Sequence, residues 1–273
     1  VSRLAGKVLV VIGGTSGLGL SAAKAFVREG ARVVVVGRDP AKVRAARQAL
    51  GDAARALTSD AARPQCADRA IQVAVREFGG LDGLYHVAGG SGRRQGDGPL
   101  HEVSDAGWRA TLDHNLTSLF YSNRAATQQF LRQHSGGSVL NMGSVLGWSP
   151  SPRYFATHAY AAAKAAIIGL TKAAAAYYAP HGIRFNVLAP ALVATPMSER
   201  AQQNEEIMAF VRTKQPLDGG RIGDPTDLDG AAVYFMSDES RFTTGQVLAV
   251  DGGWDVTEGQ WPRAKLRRGV RGG

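Results

Sequence analysis

"KVLVVIGGTSGLG", residues 7–19, decides how the rest of the chain is read. Lys7 to Ile12 is a nearly continuous apolar run, the mark of a strand covered on both faces. It ends in a glycine-rich turn, Gly13 to Gly19, which passes directly into a helical pattern. Glycines at 13, 17 and 19 let the backbone turn tightly and approach a pyrophosphate, whose charge is favoured at a helix N-terminus. Strand, turn and helix in this order predict a dinucleotide site, with Gly13, Thr15, Ser16, Gly17, Leu18 and Gly19 around the phosphates.

The same alternation continues outward. Apolar runs at 32–36, 54–59, 81–87, 138–142, 184–189 and 246–250 read as strands, the second of them weakly. Helical patterns lie between, at about 18–29, 40–50, 64–78, 105–134, 159–179 and 224–237. Asp39 before Pro40, and Ser104 or Asp105, are candidate caps. A β-α-β-α order with right-handed crossovers gives one α/β domain, a doubly wound parallel sheet of about seven strands with helices on both faces.

Composition narrows the function classes. At 273 residues the chain can bury a full core, and 44% hydrophobic with 20% charged residues is globular. Cys66 is the one cysteine, so no internal disulfide and no cysteine-held metal is expected. The start shows no signal-peptide blocks, and the expected setting is cytoplasmic. The alanine-rich stretch 157–179 fails as a membrane span because Lys164 and Lys172 interrupt it. The net charge of +9 is partly local, since the segment after Trp254 holds five basic and two acidic residues. A domain over 1–254 followed by a basic tail at 255–273 is the expected organisation, and a nucleic-acid role is not expected.

Within the alanine-rich stretch, "YAAAK" places Tyr160 and Lys164 four apart, on one helical face. A free phenol, with a pKa of about 10, is a poor base. A nearby ammonium, together with the positive charge of an oxidised dinucleotide, favours the phenolate, and Tyr160 is then expected to exchange a proton with a substrate oxygen. Small side chains between the two leave room for a cofactor or a neighbouring helix.

The glycine spacing and YAAAK together resemble the short-chain dehydrogenase/reductase family, in its subgroup of about 250 residues. "HVAG" at 86–89, Asn115 in "HNLTS", Ser144 in "NMGSVLG", "APALVATP" at 189–196 and "TGQVLAVDGG" at 244–253 follow in family order. The resemblance implies a Rossmann-type fold and hydride transfer between a nicotinamide and a small carbonyl or alcohol substrate, without a metal. It implies Ser144, Tyr160, Lys164 and Asn115 as the catalytic set: Ser144 polarises the substrate oxygen, Lys164 also holds the nicotinamide ribose, and Asn115 supports a water path for protons. Asp60, Ala61, Ala88, Gly89, Pro190, Val193 and Thr195 are the matching cofactor contacts, Asp60 near the adenine and Thr195 at the carboxamide. Two departures stand out. Ser144 and Tyr160 are 16 apart, about three more than usual in the family, and Val87 and Ala191 replace a common Asn and Gly. Tyr154 is a rival base, but four residues on it meets His158 rather than a lysine.

Arg38, at the tip of "VVVVGRD", suits the 2′-phosphate of NADP, while Asp39 could instead reach a ribose and leave NAD as the cofactor. Residues 191–221 are expected to form a lid with an amphipathic helix around Met208, Phe210 and Val211, and Trp148, Tyr154 and Phe155 to line part of the pocket. Many relatives pair the helices at 105–134 and 159–179, which implies a homodimer or homotetramer. The leading expectation is an NADP-dependent ketone or aldehyde reductase, reversible as an alcohol dehydrogenase. An NAD-dependent alcohol dehydrogenase and a non-catalytic dinucleotide sensor are the alternatives.

Overall fold

The computed structural model describes residues 2–259. Seven strands form one parallel sheet: β1 (Val8–Ile12), β2 (Arg32–Gly37), β3 (Ala54–Thr58), β4 (Gly83–His86), β5 (Gly137–Met142), β6 (Ile183–Pro190) and β7 (Val247–Val250), in the order β3-β2-β1-β4-β5-β6-β7. All seven runs expected from the sequence are strands. Strand order reverses between β1 and β4, and the crevice at the carboxyl ends there is where this architecture binds ligands.

Strand alternation explains the continuous apolar runs. Leu9, Val11, Val33 and Val35 face one layer, where they meet Phe26 of α1 (Gly17–Arg28), Leu50 of α2 (Pro40–Leu50) and Phe235 of α9 (Asp229–Met236). Val8, Val10, Ile12, Val34 and Val36 face the other, against Ile71 of α3 (Gln65–Phe78) and Phe130 of α5 (Ser118–Gln133). The buried polar residues that the strands do carry are partnered: Ser138 donates to the Phe235 carbonyl at 2.7 Å, Asn141 exchanges bonds with Asn123 at 2.9 Å, and Asn186 donates to the Thr243 carbonyl at 3.0 Å.

Asp39 caps α2, its carboxylate accepting from the backbone N–H of Ala41 at 2.8 Å and Lys42 at 3.3 Å. Ser104, not Asp105, caps α4 (Asp105–Leu112), accepting from Gly107 N–H. The single helix expected over 105–134 is interrupted: α4 and α5 are joined by a π-helical turn, Asp113–Thr117. The helix expected at 224–237 opens as a 3-10 turn, Pro225–Leu228, before α9 begins. The alanine-rich stretch is α6 (His158–Tyr178), and residues 191–221 contain α7 (Glu199–Gln202) and α8 (Glu205–Lys214).

Structure continues past residue 254. Trp148 Nε1 donates to Asp255 at 2.7 Å, Thr213 Oγ1 donates to the Gly259 carbonyl at 2.6 Å, and Thr257 Oγ1 donates to the Lys214 carbonyl at 2.9 Å. Residues 255–259 are thus seated on the end of α8 rather than forming the start of a separate tail. The basic tail residues Arg263, Lys265, Arg267, Arg268 and Arg271 lie outside the described residues. Among the described residues, no helix is long and apolar enough to cross a membrane.

Candidate active site

Every residue singled out in the sequence sits at the carboxyl edge of the sheet. Gly13 to Gly19 form the β1–α1 turn; Arg38 follows β2, Asp60 and Ala61 follow β3, and Ala88 and Gly89 follow β4. Asn115 lies in the π turn, Ser144 just beyond β5, Tyr160 and Lys164 on α6, and Pro190, Val193 and Thr195 at or beyond the end of β6.

The turn after β1 fits a dinucleotide phosphate. Ser16 gives α1 no side-chain cap, and its first turn holds no acidic residue, so the leading N–H groups and the helix dipole remain available to an anion. Gly13 has φ +89°, and a Cβ there would fall 2.6 Å from the Ala88 backbone nitrogen. At Gly19 a Cβ would lie 2.2 Å from the Gly13 carbonyl oxygen, so helix and turn touch through backbone alone. Across the cleft, a Cβ on Gly17 would be 3.4 Å from Thr195 Cγ2, which places the β6 segment opposite the glycine turn.

Deeper in, α6 carries the reactive pair. Asp97, on the long connection after β4, caps this helix from 62 residues away: its carboxylate accepts from Ala159 N–H and Tyr160 N–H, both at 2.9 Å. Thr157, the local cap position, contributes no side-chain bond. A buried negative charge at the α6 N-terminus therefore fixes the turn that presents Tyr160. Lys164 is 3% exposed; its ammonium donates to the Met142 carbonyl at 2.8 Å and lies 5.4 Å from the centre of the Tyr160 ring.

In the chain alone, burial opposes the easing of the phenol toward its ionised form. Burial pushes the Tyr160 phenol up to about 12, with the adjacent Ser144 side chain pulling it back in part. Burial also pulls Lys164 down to about 7. The reason is desolvation: both charged forms lose water, and one weakened ammonium does not repay the phenolate. Tyr160 in this state is a proton donor poised beside a serine hydroxyl.

Asn115 is fully buried, and its amide is committed: Nδ2 donates to the carbonyls of Gly90 and Thr111 at 2.9 Å, and Oδ1 accepts from Gly90 N–H at 3.0 Å. The side chain pins the segment after β4. Tyr154 is taken out of contention as a base, its hydroxyl donating to Glu206 at 3.1 Å and its ring lying 4.9 Å from Phe210. Phe155 and Phe210 both pack on Trp254, and Ile207 and Val211 of α8 are buried beneath. Trp148, Tyr154 and Phe155 thus build one wall between the β5 loop and α8.

Several residues at the site carry no sequence signal of their own. Besides Asp97, His86 is buried with Nε2 3.0 Å from the Ala88 carbonyl and Nδ1 2.7 Å from Ser122 Oγ. A carbonyl can only accept, so Nε2 carries the proton and Ser122 donates to Nδ1. Burial first, then Lys164, holds this imidazole down at about 3 and therefore neutral. His114 lies against Gly90 and is held low by burial first and by the Arg38 cation second. Asp97, Ser122 and His114 have no local motif, and His86, though within HVAG, gives no sign in the sequence of its bond to Ser122.

A family model described as enoyl-(acyl carrier protein) reductase matches residues 13–255. The chain is 34% identical to a 2,5-dichloro-2,5-cyclohexadiene-1,4-diol dehydrogenase of Sphingobium indicum over 255 residues, covering 93% of this chain and 99% of the relative. It is 36% identical to a 3-alpha-(or 20-beta)-hydroxysteroid dehydrogenase of Mycobacterium bovis, covering 92% and 90%. A solved short-chain type dehydrogenase/reductase from Mycobacterium ulcerans superposes with a TM-score of 0.86 at 31% identity, covering 93% and 92%. Fold, ordered motifs and full-length relatives agree: this chain belongs to the short-chain dehydrogenase/reductase family and is an oxidoreductase.

Proposed function

We propose that this oxidoreductase uses NADP(H) to interconvert a ketone or aldehyde with its alcohol, Tyr160 being the group that gives and takes the proton. The observation that carries the reading is the convergence of Ser144 and Lys164 on Tyr160. A non-catalytic sensor has no use for that arrangement. When bound, the nicotinamide supplies or accepts the hydride. Ser144, a neutral donor, holds the substrate oxygen where negative charge develops, and Tyr160 delivers its proton to that oxygen in reduction. In oxidation the same phenol must take a proton, which its high affinity for protons in the buried site assists once it is ionised. Lys164, anchored on Met142, steadies the ionised phenol and holds the nicotinamide ribose, while Asn115 keeps the Gly89–Gly90 backbone in place.

NADP is favoured over NAD by how two side chains are used. Asp39 spends its carboxylate on the α2 cap, while Arg38, just after β2, forms no ion pair among the described residues and its charge is felt at His114. Gly13, Thr15, Ser16, Gly17, Leu18 and Gly19 would hold the phosphates, Asp60 and Ala61 the adenine, Ala88 and Gly89 its ribose, and Pro190, Val193 and Thr195 the nicotinamide end. Residues 191–221 act as the lid of one domain, and Met197, within 3.8 Å of a Cβ built on Gly90, reaches across the cleft. Exposed Trp108, Phe120 and Tyr177 on α4, α5 and α6 favour a homodimer or homotetramer built on those helices.

Fluorescence titration with NADPH and NADH tests the cofactor. Arg38→Ala should weaken NADPH by roughly tenfold to a hundredfold, the worth of a charge-assisted contact, and leave NADH little changed. Equal losses would remove Arg38 from the phosphate site, and binding of neither nucleotide would sink the hydride-transfer mechanism.

A further inference from the structure

Three segments meet over the α6 N-terminus: the connection after β4, the loop between Ser144 and Tyr160, and the start of the 191–221 segment. Arginines from the first and the last reach the same place on the loop between them. Arg93 Nη2 and Arg200 Nη2 both donate to the Tyr154 carbonyl oxygen at 3.2 Å, one from each side of the loop. Two cations thus share a single neutral acceptor, and each keeps the rest of its five N–H donors free.

The carboxylates nearby are already engaged. Both Asp97 oxygens accept from the α6 backbone, and Glu206 Oε1 takes Arg153 and the Tyr154 hydroxyl. Among the described residues, neither Arg93 nor Arg200 forms an ion pair. Arg93 is also held below its ordinary value, by burial first and by Arg200 second, with Asp97 acting the other way. Two like charges fixed on one oxygen raise each other's energy, and an anion between them removes that cost. The guanidinium fork matches a carboxylate, which it can take in two parallel hydrogen bonds.

We infer that Arg93 and Arg200 form a carboxylate-recognising pair at the mouth of the cleft, so that the substrate is a carbonyl compound or alcohol bearing a carboxylate remote from its reacting carbon. The substrate class rests on the proposed carbonyl–alcohol reaction; the anion site does not. Position supports it: Asp97, four residues after Arg93, holds Tyr160, and Tyr154, which both arginines grip, is six residues before it. An anion held there also ties the lid segment, through Arg200, to the β4 side of the cleft through Arg93. Binding of such a substrate and closing of the cleft become one event.

The test uses the full chain and three keto acids of increasing length, 4-oxopentanoate, 5-oxohexanoate and 6-oxoheptanoate, each beside its methyl ester. Dissociation constants come from ligand-observed NMR, with and without oxidised dinucleotide. At least one acid should bind about tenfold or more tightly than its ester, as a charge-assisted contact requires. In the Arg93→Gln/Arg200→Gln protein, whose amides can still reach the Tyr154 carbonyl, that ratio should fall to near one. Arg200→Lys in an otherwise natural chain should keep part of it. The proposal is overturned if no acid outbinds its ester, or if the preference survives the double glutamine substitution. Turnover is measured separately: acids that bind through the arginines but are never reduced would end the reaction reading and leave the anion pair standing.

Discussion

At the floor of the cleft Lys164 is 3% exposed and donates to a strand carbonyl, whereas at the rim Arg153 and Glu206 pair with 73% and 58% of their side chains exposed. The floor is held by backbone: the Met142 carbonyl, the α6 N–H groups on Asp97, the Gly90 peptide on Asn115. The rim is held by long charged side chains, Arg153 on Glu206 and Arg93 and Arg200 on the Tyr154 carbonyl, in water and open to salt. Chemistry that must not move is anchored to elements, and selectivity that must fit one molecule is left to contacts that cost little to change.

Tyr160→Phe strikes the floor hardest. Turnover should fall about 10² to 10⁴-fold, the range for a lost acid–base group, with NADPH affinity unchanged by titration. Activity within a few fold of the natural chain would mean that another group transfers the proton.

Lys164→Met separates burial from chemistry. The folded-state value near 7 lies below the ordinary 10.5, so between those pH values the unfolded chain binds more protons and stability rises with pH. Below about pH 7 both states are protonated and the full cost of the buried ammonium is felt. Urea denaturation should show the natural chain gaining up to roughly 3 kcal/mol over the variant between pH 7 and 9.5. Above pH 10 Tyr160 acts in the opposite sense, since its raised value makes the folded state hold its proton longer. Parallel pH profiles for the two proteins would show that the ammonium is not desolvated.

Asp97→Ala should cost about 1 to 2 kcal/mol, as for a lost helix cap, and lower kcat more than it raises KM because Tyr160 loses its fixed turn. Asp97→Asn, with one acceptor oxygen left, should recover part of both. Stability lost without a kcat change would make Asp97 a brace for the loop alone. Glu206→Gln, on the rim, should shift stability by no more than ~0.5 kcal/mol. Its effect falls on KM, which should drop for carboxylate-bearing substrates as Arg153 is released; an unchanged KM would confine the anion site to Arg93 and Arg200.

The division between floor and rim also tracks what is legible in the chain before it folds. All seven strands, the glycine turn and the Tyr160–Lys164 face are legible because period and spacing are local. Asp97 is not, because its partners are 62 residues away and an aspartate in a glycine-rich loop reads as a turn. His86 and Ser122 meet only after β4 and α5 pack. The upward push of burial on Tyr160 is not legible for a related reason: spacing shows that a lysine is near, but only packing shows that water is not. Arg93 and Arg200 are far apart in the chain, and a loop carbonyl, which carries no residue code, brings them together.

The π turn at Asp113–Thr117 amounts to one extra residue carried inside a helix. Each residue advances an α-helix by about 100°. The wider turn absorbs that residue locally, so the faces of α4 and α5 stay in phase across it, and removing one of the five would let them run on as a single regular helix. The two helices would keep their neighbours, while Asn115 would lose the bulge that turns its amide onto Gly90 and Thr111. A one-codon deletion here would therefore cost the site its Asn115 clamp and leave the helices on either side in register.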